Sequence, residues 1–306
     1  MDSAPVAFAL AFVAQLLRIS VPYALAAVGG AFSERVGVIN IALEGILLAG
    51  AFGGAVVSLA TGNPWWGALG GMAAGALLAA LHAAVTVWGK ADQILCGLAL
   101  NLLALGATRG LLKVLYGSAS NSPRIPGIEP IVASSSALTN VLTHPLFLLA
   151  VALVLLAHWV LFRSRWGLEL RAAGDGPRAL DGAGISVTRT RIYGVLLSGA
   201  FGGLGGTWLA MEQHSFSDGM SNGRGYIALA AMIVGKWKPM GAAIACLLFG
   251  AAETLQIRIP GDQVPTQLLQ ALPYLLTIVV LAGWIGRATP PRALGVPYDR
   301  ESGPAM

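Results

Sequence analysis

Charge is what this sequence has least of: only 11% of its 306 residues are Asp, Glu, Lys or Arg, where a soluble domain carries about a quarter. With 56% hydrophobic residues, that scarcity excludes water as the sole solvent and points to a lipid bilayer. Cysteine is nearly absent too. Cys96 and Cys246 lie in apolar stretches with no second Cys or His at ligand spacing, which excludes a disulfide framework or a zinc site, so no metal is expected. The first ten residues hold no Lys or Arg, so a cleaved leader with a basic start is not expected and the N-terminus should be retained. A phosphate-binding loop is also missing. Gly89-Lys90-Ala91 and Gly235-Lys236-Trp237 lack the Ser or Thr and the upstream Gly of such a loop, and Gly203-Leu204-Gly205 follows no strand. The chain is therefore not expected to be an enzyme or to bind a cofactor, and any ATP-driven work needs a separate subunit.

What the sequence has in quantity is small and apolar residues. Forty glycines sit inside Leu, Ala and Val runs, where small residues let membrane helices approach closely; Gly67, Gly71 and Gly75 form one such ridge. A spanning helix needs roughly 20 apolar residues. Nine segments come near that, at about 6–31, 38–60, 64–89, 91–116, 145–163, 192–211, 221–236, 240–257 and 267–286. The fold class is thus an all-α polytopic membrane protein of about nine transmembrane helices (eight to ten), in one transmembrane domain over residues 1–306. The seventh segment is short and contains glycine, as a broken or re-entrant helix does where irregular backbone is buried in protein.

Basic residues orient the bundle. Arg163, Arg165, Arg171, Arg178, Arg189 and Arg191 crowd one connection, which the positive-inside rule places in the cytoplasm. Alternating from there puts Arg35, Lys90, Lys236, Lys238, Arg287, Arg292 and Arg300 inside as well, and leaves Arg124, Arg224 and Arg258 outside. Residues of about 117–144 become an extracytoplasmic loop, about 164–191 a cytoplasmic segment, and 287–306 a cytoplasmic tail; nine crossings put the N-terminus outside. All eight tryptophans fall near segment ends, as interface-seeking side chains do. The net charge of +5 is accounted for by this bias, so no nucleic-acid partner is expected.

Charges within membrane segments each cost at least ~2.5 kcal/mol at mid-bilayer and face protein or water-filled paths. Glu44 and Glu253 stand out as such acids. If the second helix begins early, Ser33, Gly37, Asn40 and Glu44 share one of its faces. That stripe either lines a transport path or holds the bundle together, with Arg18 as a partner for Glu44. Glu253 and Gln256 are one turn apart in the eighth segment, and Asn101 and Thr108 share one side of the fourth. Asn40, Glu44, Asn101, Glu253 and Gln256 are the candidate path residues, with helix–helix hydrogen bonding as the alternative reading. Arg18 lies deep in its segment, which raises the alternative that residues 6–17 lie along the surface.

The connection at 167–187 reads Gly-Leu-Glu-Leu-Arg-Ala-Ala-Gly-Asp-Gly-Pro-Arg-Ala-Leu-Asp-Gly-Ala-Gly-Ile-Ser-Val. Pro177 suits the first position of a short helix that Gly182 or Gly184 ends, with Ala179 and Leu180 as an apolar face and Arg178 and Asp181 as charged edges. A helix held this way between two spans can dock into a groove on a soluble partner.

Three stretches carry a family resemblance. They are Ser33-Glu34-Arg35-Val36-Gly37-Val38-Ile39-Asn40-Ile41-Ala42-Leu43-Glu44-Gly45, the segment just described, and Gly225-Tyr226-Ile227-Ala228-Leu229-Ala230 followed by Gly235-Lys236-Trp237-Lys238-Pro239. The first is similar to Gly-Glu-Arg-x-Gly-x-Ile-Asn-Ile-x-x-Glu-Gly, with Ser33 where Gly is common. The chain resembles the ATP-binding-cassette (ABC) importer permeases of the branched-chain amino acid and ribose type, in their nucleoside branch, over about residues 20–298. The resemblance implies a helical permease in a bacterial plasma membrane, paired with a second homologous permease. It also implies a cytoplasmic ABC ATPase that binds the ATP and Mg, and an extracytoplasmic substrate-binding lipoprotein. By the same resemblance, Ala172, Gly174, Asp175, Pro177, Arg178, Ala179, Asp181, Gly184 and Ile185 belong to the helix that couples the ATPase to the path. Nucleosides lead as cargo, with ribose-like sugars and riboflavin-like molecules open. The competing class is an ion-coupled secondary transporter in which Glu44 and Glu253 carry the ion; an intramembrane enzyme lacks any nucleophile–base pair.

Overall fold

The computed structural model describes residues 3–258, 271, 275 and 289–299. Among the described residues the regular structure is helical. The order is α1 (Ser3–Arg35), α2 (Leu43–Thr61), α3 (Pro64–Ala83, extended by a π turn Ala84–Trp88), α4 (Gln93–Tyr116), α5 (Ala137–Leu142), α6 (Pro145–Arg163), α7 (Arg165–Asp175), α8 (Pro177–Gly182), α9 (Val187–Glu212), α10 (Arg224–Val234) and α11 (Pro239–Arg258).

Helix starts follow local chemistry. Asn63 accepts the Trp65 N–H ahead of Pro64, and Asp92 accepts the N–H groups of Ile94 and Leu95, so side chains satisfy the orphan donors of α3 and α4. Ser164 caps α7 and Ser186 caps α9 in the same way. Among the described residues seven helices, α1, α2, α3 with its π turn, α4, α6, α9 and α11, are long and apolar enough to cross a membrane. The short seventh segment is α10, whose 11 residues reach roughly 16 Å at 1.5 Å each, about half a hydrocarbon core. The ninth expected segment, 267–286, lies outside the described residues.

The structure departs from two expectations. Residues 6–17 do not form a separate surface segment, because α1 runs unbroken from Ser3 to Arg35 through Pro22. Nor do Ser33, Gly37, Asn40 and Glu44 share a helix face. The chain breaks after Arg35, Gly37 takes φ +92°, and α2 starts only at Leu43. Side chains from elsewhere satisfy that break: His82 Nε2 lies 2.9 Å from the Ile39 carbonyl, and Gln93 Oε1 accepts the Ile39 N–H at 2.7 Å.

Glycines set the packing of α2, α3 and α9. Gly71 lies against Thr207 and the Gly50 carbonyl, and Gly75 against the backbone of Gly199 and Gly203, so three backbones meet where larger residues would hold them apart. Trp65, Trp66, Trp88, Trp159 and Trp166 are exposed as an interface belt requires. Trp208 and Trp237 are buried instead, and their indole N–H groups donate to Arg18 O and Glu34 Oε2.

Candidate translocation and coupling site

Glu44 stands in the first turn of α2, where its carboxylate accepts the Gly223 N–H at 2.8 Å and the Gly225 N–H at 2.7 Å. It therefore caps the half-helix α10, meeting two unsatisfied donors and the positive end of the helix dipole. The approach is close: a Cβ on Gly225 would lie 2.3 Å from Glu44 N. On the other side of α10, Glu253 of α11 accepts Arg224 Nη2 at 2.9 Å and the Tyr23 hydroxyl. The two acids thus grip the start of one short helix from two neighbours. Arg18 pairs with Glu212 at 3.0 Å, not with Glu44.

Asn101, on α4, ties α2 to α10. Its Oδ1 accepts the Gly45 N–H at 2.8 Å, and its Nδ2 donates to Ile41 O at 3.0 Å and Tyr226 Oη at 3.1 Å. Tyr226 is 44% exposed beside the open apolar face of α4 that carries Leu98, Leu102 and Leu105. Glu44, Asn101 and Tyr226 form one polar set through adjacent residues of α2 and α10, with a direct bond between Asn101 and Tyr226. Asn40 stands apart, fully buried and donating to Ser198 Oγ on α9 at 2.9 Å. Gln256 is half-buried one turn beyond Glu253.

Sequence reasoning passed over Tyr226, Arg224 and Glu34. Tyr226 was visible as the one aromatic with a hydroxyl in its motif. Arg224 reads as a loop cation until α10 is known to begin there. Glu34 is buried against Trp237 Nε1 at 2.6 Å, and Arg35 donates to the carbonyls of Trp237 and Lys236. Those two bonds hold a turn in which Lys236 and Trp237 take φ of 58° and 55°, a left-handed backbone that L-residues adopt at a cost of roughly 1–2 kcal/mol each.

The basic end of the bundle carries α7 and α8. Pro177 opens α8, Gly176 precedes it with φ −153°, and Gly184 follows at φ +82°. Leu180 is buried, while Arg178 and Ala179 face outward. The segment holds a second helix, α7, ahead of the proline, and its Leu170, Ala173 and Gly174 are buried. A Cβ on Gly174 would lie 2.3 Å from Arg35 O and 3.0 Å from Gly37 N. Arg35 and Arg171 both lie over the Phe162 ring, at 5.5 and 5.2 Å. Ala172 and Asp181 are half-buried, as is Ile185, which packs on the core, and Gly184 is exposed. Ala172, Asp175, Gly176 and Ala179 line a groove of about 830 Å³ with Arg35, Thr289, Pro290 and Arg292.

The stretch at 33–45 therefore touches both others: through Gly37 the α7 end, through Glu34 and Arg35 the turn at 235–238, and through Glu44 the start of α10. A family model for the branched-chain amino acid transport system / permease component matches residues 12–281. The chain belongs to this permease family. Over 296 residues the permease is 40% identical to the guanosine ABC transporter permease protein NupQ of Bacillus subtilis, covering 90% of this chain and 92% of that protein. It is 41% identical to the nucleoside ABC transporter permease protein NupC of Lactococcus lactis subsp. cremoris, over 94% and 96% of the two chains. A second guanosine ABC transporter permease protein of Bacillus subtilis, NupP, is 25% identical over 89% of this chain and 82% of its own length. The permease is a multi-pass transport subunit of an ABC system with a partner ATPase, and is not itself an enzyme.

The Arg224–Glu253 pair yields a stability prediction. Its side chains are 21% and 15% exposed, and breaking a buried pair from one side costs about 3–5 kcal/mol, here toward the lower end. Glu253→Leu or Arg224→Met alone should lower the melting temperature in detergent by several degrees. The double variant should recover most of that loss, because neither charge is then left unpaired; a double variant as unstable as the sum of the singles would show that the two act separately.

Proposed function

We propose that this permease forms half of the membrane path of an importer for nucleosides, delivered by an extracytoplasmic lipoprotein receptor and driven by a cytoplasmic ATPase that binds ATP and magnesium. The observation that carries it is the polar set of Glu44, Asn101 and Tyr226, placed beside the exposed apolar face of α4. A second permease facing this surface would enclose a path with hydrogen-bonding groups and an aromatic ring, the chemistry a ribose and a base call for. The names of NupQ, NupP and NupC support the cargo class, and the presence of two guanosine permeases in Bacillus subtilis supports a pair of unlike permeases.

The basic end faces the cytoplasm in this reading, which puts α7, α8 and residues 289–299 there and the 117–144 loop outside, in a bacterial plasma membrane. The outward Ala179 of α8 then meets the ATPase, with Asp175, Arg178, Asp181 and the small residues around them as the docking unit.

Uptake of labelled nucleoside into vesicles carrying both permeases, the ATPase and the receptor tests the reading. Tyr226→Ala and Asn101→Ala should each lower ATP-driven uptake roughly tenfold, the loss of about 1.4 kcal/mol of path interaction, with the complex still purifying intact. Ala179→Trp should overfill the docking groove and remove ATPase from the purified complex. Uptake driven by a proton or sodium gradient without ATP would replace this reading with the ion-coupled one.

A further inference from the structure

The segment at 289–299 returns to the basic end and is bonded there to α7, α9, the break after α1 and the turn after the π helix. The Ala293 N–H donates to Gly174 O at 2.8 Å, and the Gly295 N–H donates to Gly37 O at 3.1 Å. Alternate N–H groups of one strap thus hold the end of α7 and the break between α1 and α2. Arg191, at the start of the second turn of α9, is 2% exposed. It donates to Val296 O at 2.8 Å and to Ala173 O at 3.5 Å. Asp175 accepts the Arg292 N–H at 3.4 Å, and Lys90 pairs with Asp299 at 2.8 Å.

Close approach at this junction depends on two glycines. Gly37 and Gly295 have φ of +92° and +78°, which side chains beyond glycine rarely adopt. A Cβ on Gly37 would lie 3.0 Å from Arg191 Nη2 and 3.1 Å from Ala293 O, and one on Gly295 would lie 2.9 Å from Ile39 Cδ1. Behind the strap, Leu294 and Tyr298 pack on two different hydrophobic clusters of the core.

We infer that the C-terminal strap is part of the ATPase-docking unit, as its second wall and as the tie that turns a movement of α8 into a movement of α1, α2 and α9. The inference rests on the reading of α7–α8 as the ATPase contact. Two observations carry it beyond that reading. Thr289, Pro290 and Arg292 form the side of the groove facing Ala172, Asp175, Gly176 and Ala179, so a partner seated on α8 touches the strap. The groove also joins cations of Arg35 and Arg292 to the Asp175 carboxylate, which suits a polar protein edge with charges of both signs. Arg191 is a positioning residue: its guanidinium holds a carbonyl of α7 and a carbonyl of the strap at once, so α9 moves with both.

The test compares three variants in the assembled transporter: a chain ending at Ala288, Gly295→Val, and Ala179→Trp on α8. Membrane level and pairing with the second permease are measured first, then ATPase co-purification, then ATP hydrolysed per nucleoside imported. The two strap variants should insert and pair normally yet lose ATPase co-purification at least fivefold, or raise hydrolysis per import at least fivefold. If they keep wild-type values while Ala179→Trp loses the ATPase, the strap has no part in docking, although α8 does. If all three keep wild-type values, the docking reading falls and the strap inference with it. Should the shortened chain fail to accumulate, Ala293→Pro, which removes the N–H bound to Gly174 and keeps the rest of the strap in the chain, decides in its place by the same two readouts.

Discussion

Gly203→Leu will leave almost no permease in the membrane fraction, while Gly106→Ala will accumulate normally. A Cβ on Gly203 would stand 2.2 Å from Gly71 O and 3.1 Å from Met72 Cα on α3, and Cβ atoms on Gly50 and Gly75 would strike Gly203 in turn. None of these neighbours is the movable tip of a side chain. Fitting a leucine requires α3 and α9 to separate, and the packing lost is what associates helices in lipid, where no hydrophobic force between them replaces it. Overpacking by a single group costs about 1–3 kcal/mol; pushing two backbones apart multiplies it, against a total stability of roughly 5–15 kcal/mol. Gly106 has nothing within 4 Å of its Cβ position, and alanine there adds roughly 0.5–1 kcal/mol of helix stability. Immunoblots of membranes and melting curves in detergent measure both. Wild-type amounts of the Gly203→Leu protein would mean that α3 and α9 are not in backbone contact.

The glycine ridge at 67, 71 and 75 was legible because its spacing is local, four residues repeated along one helix. The same holds for the apolar runs that became spans and for Pro177 at the start of α8. The half-helix α10 was legible as a segment too short and glycine-containing to cross alone. The break at 36–42 was not. An unbroken reading of 38–60 is the natural one until His82 and Gln93, remote in sequence, take up both polar groups of Ile39. Without those partners the N–H and C=O of the half-buried Ile39 would be left unpaired.

Site residues divide along the same line. That Glu44 and Glu253 must face protein follows from the cost of a carboxylate in lipid, and both do. Their partners could not be read, because Glu44 is bound by backbone N–H groups, which any sequence supplies, and Glu253 by an arginine that charge counting assigns to a loop. Asn40 and Glu44, four residues apart, point to different helices because the chain turns between them. The resemblance identified three stretches of sequence; that the first of them touches the other two is visible only in space.

Glu44→Ala should reduce ATP-driven uptake by more than tenfold in vesicles with normal amounts of permease. The carboxylate accepts from Gly223 and Gly225 at 2.8 and 2.7 Å, and alanine leaves both donors without it at the mouth of α10. Each such loss costs about 1–3 kcal/mol when the group is buried, and the helix dipole adds roughly 0.3–1 kcal/mol. Part of that is recovered because Glu44 is half-buried and water reaches one side. What remains frees the start of α10, and with it Tyr226, whose hydroxyl is held by Asn101 at 3.1 Å. Glu44→Gln separates the capping role from ion carriage. Its amide oxygen still accepts one of the two N–H groups, so a cap predicts uptake between that of wild type and Glu44→Ala. A group that binds and releases a coupling ion works only with its carboxylate, so Gln would then be as inactive as Ala. Equal inactivity of the two variants, with uptake following a proton or sodium gradient, would remove the capping account; uptake by Glu44→Ala at the wild-type rate would show that the grip on α10 is not needed for transport.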